Sequence, residues 1–166
     1  MIRKELEELR KLGVDNIFFC DDSMGGKKSF LREMVPILER VPMKWSASPR
    51  INAIDEKLIA DFERVGCQWL FFGIESPLDH MLRYIGKGIS RKDIDRGVEI
   101  MKNSKIIATY SLMIGFPEET DEDRNAVMDF AKSDHILWKK NLAAMLAGRS
   151  QLAAEELADH HHCRLG

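Results

Sequence analysis

Leu70 to Ser76, LFFGIES, runs apolar residues into a carboxylate with a single glycine just before the end. Asn16 to Ser23, NIFFCDDS, does the same upstream, and Ser111 to Thr120, SLMIGFPEET, does so downstream. Short runs that are apolar at nearly every position are the mark of strands buried on both faces, as in a parallel sheet. The segments between them have the helical period. Ile2, Leu6, Leu9 and Leu12 share one face ahead of Gly13, a helix-ending residue. Phe30, Met34, Ile37, Leu38 and Val41 form a second stripe over Lys27 to Arg40, where Pro36 predicts a kink or a break into two short helices. MKWSAS is a weaker strand. Asp55 is placed to cap a helix to Val65 with Leu58, Ile59 and Phe62 inward. QWLFFGI is the next strand, and a short helix is expected over Leu78 to Ile85. Ser90 and Asp93 form a capping signature for a helix through Met101. IIATYSLMIG is a fourth strand, and Thr120 or Asp121 opens a further helix.

The order is one helix and then four βα units, which predicts an α/β fold built on four parallel strands covered by helices. Strands of such a sheet share a direction, so their C-terminal ends share a rim, and folds of this kind place their sites there. Asp21, Asp22, Arg50, Glu75 and the turn from Gly115 to Glu119 are expected on that rim. The plainer account is that every βα loop is polar because its backbone is solvated and the next helix needs a cap.

Composition narrows the classes. The chain has 166 residues, 45% apolar and 31% charged, with a formal net charge of −2. That balance fits a folded domain and argues against nucleic-acid or anionic-membrane partners. No stretch approaches the roughly 20 apolar residues of a membrane span, and the charged N-terminus is unlike a signal peptide. Cys20, Cys67 and Cys163 are too few and scattered for a disulfide framework, so a reducing cytoplasm is the expected compartment.

FFCDDS, WSASPRINAID, GCQWLFFGIES, LRYIGKGIS and MIGFPEETDED, in this order, resemble the second to fifth strands of the radical S-adenosylmethionine (radical SAM) enzymes, in particular the subgroup that often carries a cobalamin-binding domain. The likeness spans residues 1–132 and implies an incomplete TIM-like (β/α) barrel with S-adenosylmethionine lying across the rim. By that resemblance Asp21 and Asp22, beside Cys20, approach the methionine amino group, and Ser48 and Arg50 line the same cavity. Glu75, after Gly73, helps hold the methionine or ribose part. Lys87 faces the carboxylate, and Ser111, Ile114 and Gly115 support ribose and adenine. The residue types suit a zwitterion, which needs an acceptor for its ammonium and a cation for its carboxylate. Other roles remain open: a helix cap or surface ion pair for Asp22 and Glu75, a solvated side chain for Lys87, a rim salt bridge from Arg50 to Asp22 or Glu75, and simple tight turns for Gly73 and Gly115.

The resemblance also implies a [4Fe–4S] cluster held by a CxxxCxxC loop, and this sequence lacks that loop. Cys20 is expected near the rim and Cys67 at the opposite end of its strand, both as small buried residues. Weak S-adenosylmethionine binding and no cluster ligation are therefore expected. Residues 133–166, rich in Ala and Leu, read as a divergent helical tail outside the barrel core, and Asp159 to Cys163, DHHHC, is a poor metal site because adjacent residues rarely converge on one ion. Four strands alone leave two bare sheet edges, which predicts self-association or a missing-domain partner. The expected function is a fragment of a radical SAM core, inactive by itself. A non-catalytic partial-barrel scaffold is the alternative, and a metal-independent lyase is a third, disfavoured because no histidine stands at a strand end.

Overall fold

The computed structural model describes residues 2–20 and 28–133 together with the backbone of Leu142–Leu146. Its elements follow the expected order: α1 (Ile2–Lys11), β1 (Asn16–Phe19), α2 (Lys28–Arg40), β2 (Lys44–Ala47), a 3-10 turn (Ile51–Ala53), α3 (Glu56–Arg64), β3 (Cys67–Glu75), α4 (Asp79–Tyr84), α5 (Arg91–Lys102), β4 (Ile107–Ile114), α6 (Asp121–Lys132) and β5 (Leu142–Leu146). The five strands form one open sheet in the order β1-β2-β3-β4-β5, and every pairing is parallel. Strands added one after another in the same direction, each through a right-handed crossover, put all the helices on one face. Among the described residues no helix covers the other face, as on the inside of an unclosed barrel.

Burial along the strands separates the two faces. On β3, Leu70, Phe72 and Ile74 are fully buried, while Trp69, Phe71, Gly73 and Glu75 alternate with them and are only half-buried. The register aligns Phe18 with Ser46, Ser46 with Trp69, and Trp69 with Ile107, so these four form one row across the inner face. Phe18 and Ile107 are each 44% exposed, which marks that face as open. On the helix side Trp45 packs edge-on against Phe62 at 4.8 Å and donates its indole N–H to Val65 O at 2.9 Å. Leu31, Met34 and Leu38 of α2 complete that core with Leu58 and Ile94.

Two expectations are corrected. First, of the kink or break expected at Pro36, the break does not occur: α2 runs as one helix from Lys28 to Arg40 with Pro36 inside it. Pro36 lies on the solvent side, where the Arg32 carbonyl it deprives of a donor can be hydrated, and the buried stripe of Leu31, Met34, Val35 and Leu38 holds the helix together. Second, the stretch read as a helical tail supplies a strand: Leu142–Leu146 pairs with Tyr110 to Ile114. Leu, Ala and Met favour a helix intrinsically, but the open edge of β4 offers a full row of backbone hydrogen bonds, and tertiary pairing overrides a propensity of this size. The DHHHC string and Asp21 and Asp22 lie outside the described residues.

Candidate functional site

The C-terminal ends of β2, β3 and β4 bring five of the expected residues into two linked groups. Glu75 is the centre of the first. Its Oε1 accepts from the Lys87 ammonium at 3.0 Å and its Oε2 from the Ser111 hydroxyl at 3.3 Å. Lys87 comes from the turn between α4 and α5, so the pair ties that turn to the sheet. Gly73 provides the room: a Cβ there would sit 2.7 Å from Glu75 Oε1 and 3.0 Å from Lys87 Nζ. The glycine clears space for an ion pair.

Glu75 is also the only non-glycine residue with positive φ among those described, at 66°. The Ser76 N–H donates to Ile74 O at 2.9 Å across it, the hydrogen bond of a γ-turn, and with positive φ this is the rare, strained form. The strand register shifts at the same place, between Gly73 and Glu75. Strain of this kind costs on the order of 1–3 kcal/mol and gathers where a side chain must be aimed. Here it turns a carboxylate onto the inner face between Lys87 and Ser111.

The second group hangs on Arg50, whose guanidinium donates to Lys87 O. Of the alternative salt bridges left open for Arg50, the one to Glu75 is not formed and Asp22 lies outside the described residues; among the described residues its bonded partner is this carbonyl. Lys87 is no freely solvated lysine, being 28% exposed and paired. Ser48 donates to Phe71 O at 3.2 Å and so fastens the end of β2 to β3. The Ile114 side chain packs against the core, which leaves its backbone as its contribution to the rim. Gly115, φ 101°, donates its N–H to the Glu119 carboxylate, closing the turn after β4.

Residues that sequence reading did not single out complete the rim. Lys28, Asn52, Ala53, Gly86 and Gly88 join Arg50 and Lys87 around a cavity of about 360 Å³. The glycines flanking Lys87 in IGKG were a usable signal, since both have positive φ and force the sharp turn that carries the lysine. Lys28 pairs with Asp55 at 2.6 Å, and that ammonium, with the Leu58 N–H, holds the Asp55 carboxyl below the ordinary carboxylate range.

The described residues do not fit an iron–sulfur cluster. Cys20 follows the last residue of β1 and is exposed, against the expectation that it is buried, whereas Cys67 opens β3 and is buried at the other end of the sheet as expected. Burial pushes the Cys67 thiol up, away from the thiolate that iron needs. No group of three His, Cys, Asp or Glu side chains among the described residues is placed to hold a metal. No helix among them is long and apolar enough to cross a membrane.

Comparison with known proteins agrees with this architecture. The Radical SAM superfamily profile matches residues 1–131. An uncharacterized methyltransferase of Pyrococcus horikoshii is 34% identical over 137 residues, covering 79% of this chain and 30% of that protein. Among solved structures, the cobalamin-dependent S-adenosylmethionine radical enzyme OxsB, with aqua-cobalamin and S-adenosylmethionine bound, superposes with a TM-score of 0.71 at 15% identity, over 95% of this chain and 24% of that one. The radical S-adenosylmethionine methyltransferase TsrM of Kitasatospora setae, with cobalamin and a [4Fe–4S] cluster bound, gives 0.68 at 20% identity, over 89% and 30%. The chain thus spans about a third or less of the length of each of these proteins, as the coverages of 30%, 24% and 30% state. Its parallel sheet, its rim of strand-end polar residues and its match over most of its length place it in the radical SAM superfamily, as part of the core.

Proposed function

We propose that this chain is the S-adenosylmethionine-holding wall of a radical SAM core whose cluster ligands lie outside the described residues. The observation that carries this is Glu75, a carboxylate aimed onto the inner face by a strained turn and flanked by Lys87 and Ser111. In this reading Glu75 accepts hydrogen bonds from the ribose hydroxyls or the ammonium of S-adenosylmethionine, exchanging part of its bonding with Lys87 for the ligand. Ser111 and the Gly115 turn border the nucleoside. Asp21 and Asp22 approach the methionine amino group from the loop after β1. When bound in a complete enzyme, the cluster supplies the electron for reductive cleavage of the sulfonium. That step has no ligands among the described residues, so the chain alone binds without turning over.

Methyl transfer is the reaction class of the P. horikoshii relative's name and of TsrM. For this chain it is a proposal, and cobalamin use is one too, resting on likeness of fold. A scaffold without ligand is favoured by one observation, that Glu75 already has two protein partners.

Calorimetric titration of the purified chain with S-adenosylmethionine separates these readings. Weak saturable binding is expected in the wild type, with affinity lowered about tenfold in Glu75→Gln, the usual scale for a hydrogen bond to a charged group. Heat too small to detect, or equal binding by both proteins while Glu75→Gln lowers the melting temperature, would establish the scaffold instead.

A further inference from the structure

α4 is only six residues long, yet it closes a ring on Glu75. At its start the Leu78 N–H donates to the Ser76 hydroxyl at 3.2 Å, one residue past the strained turn. At its end the Lys87 N–H donates to Leu82 O at 3.0 Å, and the Lys87 ammonium returns to Glu75. Gly86 and Gly88, both with positive φ, flank the lysine and give its turn the backbone freedom to follow α4. The buried Met81 and Leu82 are the pivot of this helix, and two neighbouring side chains hold its exposed start. Asp79 accepts the Arg91 N–H of α5 at 2.7 Å, and His80 Nε2 meets Asp123 Oδ1 of α6 at 3.1 Å. The other carboxylate oxygen of Asp123 takes the Thr120 N–H at 3.1 Å within the α6 capping box. The carboxylate is thus the fixed half of the pair, 14% exposed against 53% for the imidazole.

We propose that His80 is a positioning residue: protonated, it latches α4 to α6 through Asp123 and so sets Lys87 against Glu75, and deprotonated, it holds α4 more weakly. Imidazole is the side chain that changes charge between about pH 5 and 8, and His80 is the only histidine among the described residues. Protonation turns its bond to Asp123 into a charge-assisted one. The charges on the elements around the pair are engaged elsewhere or solvated. Asp79 is taken by the Arg91 N–H, Arg91 by Asp95 and the Phe130 ring, Asp121 by Arg124, and Glu119 by the Gly115 N–H. Arg83 of α4 and Glu122 of α6 are exposed, where salt screens them. A pair with one half-exposed member biases two positions of a helix by about fivefold at most. That is enough to tune a turn and too little to unfold it. The latch is a property of the protein's own contacts, and only its consequence for ligand affinity rests on the function proposed above.

The test uses the whole chain without S-adenosylmethionine, so it stands or falls apart from the proposed function. NMR follows the His80 ring, the Gly86 and Gly88 amides and the Glu75 carboxyl carbon from about pH 5.5 to 8. The glycine and Glu75 signals are expected to shift with the same midpoint as the His80 ring. His80→Gln keeps a hydrogen-bond donor that does not change charge, so in it that shift should vanish while the other histidines of the chain go on titrating. Asp123→Asn keeps an oxygen for the Thr120 N–H and removes the charge that protonated His80 meets, so it should abolish the shift as well. Glycine and Glu75 signals that stay still while His80 titrates overturn the proposal, because the pair then has no reach to the rim. Signals that keep their titration in His80→Gln overturn it too, since another histidine then drives them. A constant offset in His80→Gln, with no pH dependence in the wild type, shows packing alone and overturns it likewise.

Discussion

Glu75 sits where an L-residue rarely does, and the energy that keeps it there comes from its side chain: an ammonium on one oxygen, a hydroxyl on the other. Gly73→Ala tests that arrangement. The new Cβ meets only the far ends of Glu75 and Lys87, which can move, so the fold should survive with a stability change within about 1 kcal/mol. S-adenosylmethionine affinity, measured by the same calorimetry, should fall several-fold because the carboxylate is displaced. Gly97 makes the opposite case. A Cβ there would lie 2.2 Å from Ile51 Cγ1 and 2.9 Å from Ile51 Cδ1, inside the core contact between α5 and the 3-10 turn. Alanine gains about 1 kcal/mol of helix propensity, but overpacking costs about 1–3 kcal/mol, and a 2.2 Å approach puts the clash ahead. Urea melts of Gly97→Ala should therefore show a net loss of about 1–2 kcal/mol.

Among the elements, α5 and α6 begin with complete capping boxes, Ser90 with Asp93 and Thr120 with Asp123. The Ser90 hydroxyl, and then its N–H, hold the Asp93 carboxyl below the ordinary carboxylate range. The Thr120 N–H does the same for Asp123, with His80 at 3.1 Å adding to it. A depressed folded value means stability that is present above the unfolded carboxylate value, about 3.9, and is lost as pH falls through the folded one. Ser90→Ala should cost about 1 kcal/mol at neutral pH. It should also flatten the acid side of the stability profile, because part of what acid removes is already gone. A melting series from neutral pH to about pH 3 reads both effects; an unchanged acid slope would mean that Asp93 is not held by the hydroxyl in solution.

For the molecule as a whole, the open sheet is the governing fact. β5 covers the edge of β4, and the outer edges of β1 and β5 remain without a neighbouring strand among the described residues. Phe18 and Ile107 are exposed on the concave face between them. We propose that the isolated chain self-associates or takes a missing-domain partner through these surfaces, since unpaired edges template further pairing. Light scattering should show species larger than a monomer, and a monodisperse monomer would sink the idea. Truncation after Ser133 exchanges the five-residue edge strand β5 for the eight-residue edge of β4, a longer template, so it should increase association further. Reading the DNA that flanks this frame addresses the fragment proposal: an in-frame CxxxCxxC upstream would supply the missing ligands, and a stop codon in its place would leave a half-barrel with another use.

Pattern alone was enough for the order of elements, the parallel sheet and the common rim. Apolar runs of strand length and helical stripes are local properties of the chain, and parallel strands must end on one side. The caps at Asp55, Ser90 and Thr120 were legible for the same reason, since a cap and its first turn are neighbours in sequence. What lay beyond reach was decided by pairing between distant segments. The helix formers of Leu142–Leu146 became a strand because β4 offered them an edge, and α2 stayed whole across Pro36 because its buried face outweighed one lost hydrogen bond. At the rim, residue types pointed to a site, but which cation was spent on which carboxylate depended on distances between loops far apart in sequence. Lys87 went to Glu75, and Arg50 to the Lys87 carbonyl, because only the folded sheet sets those separations.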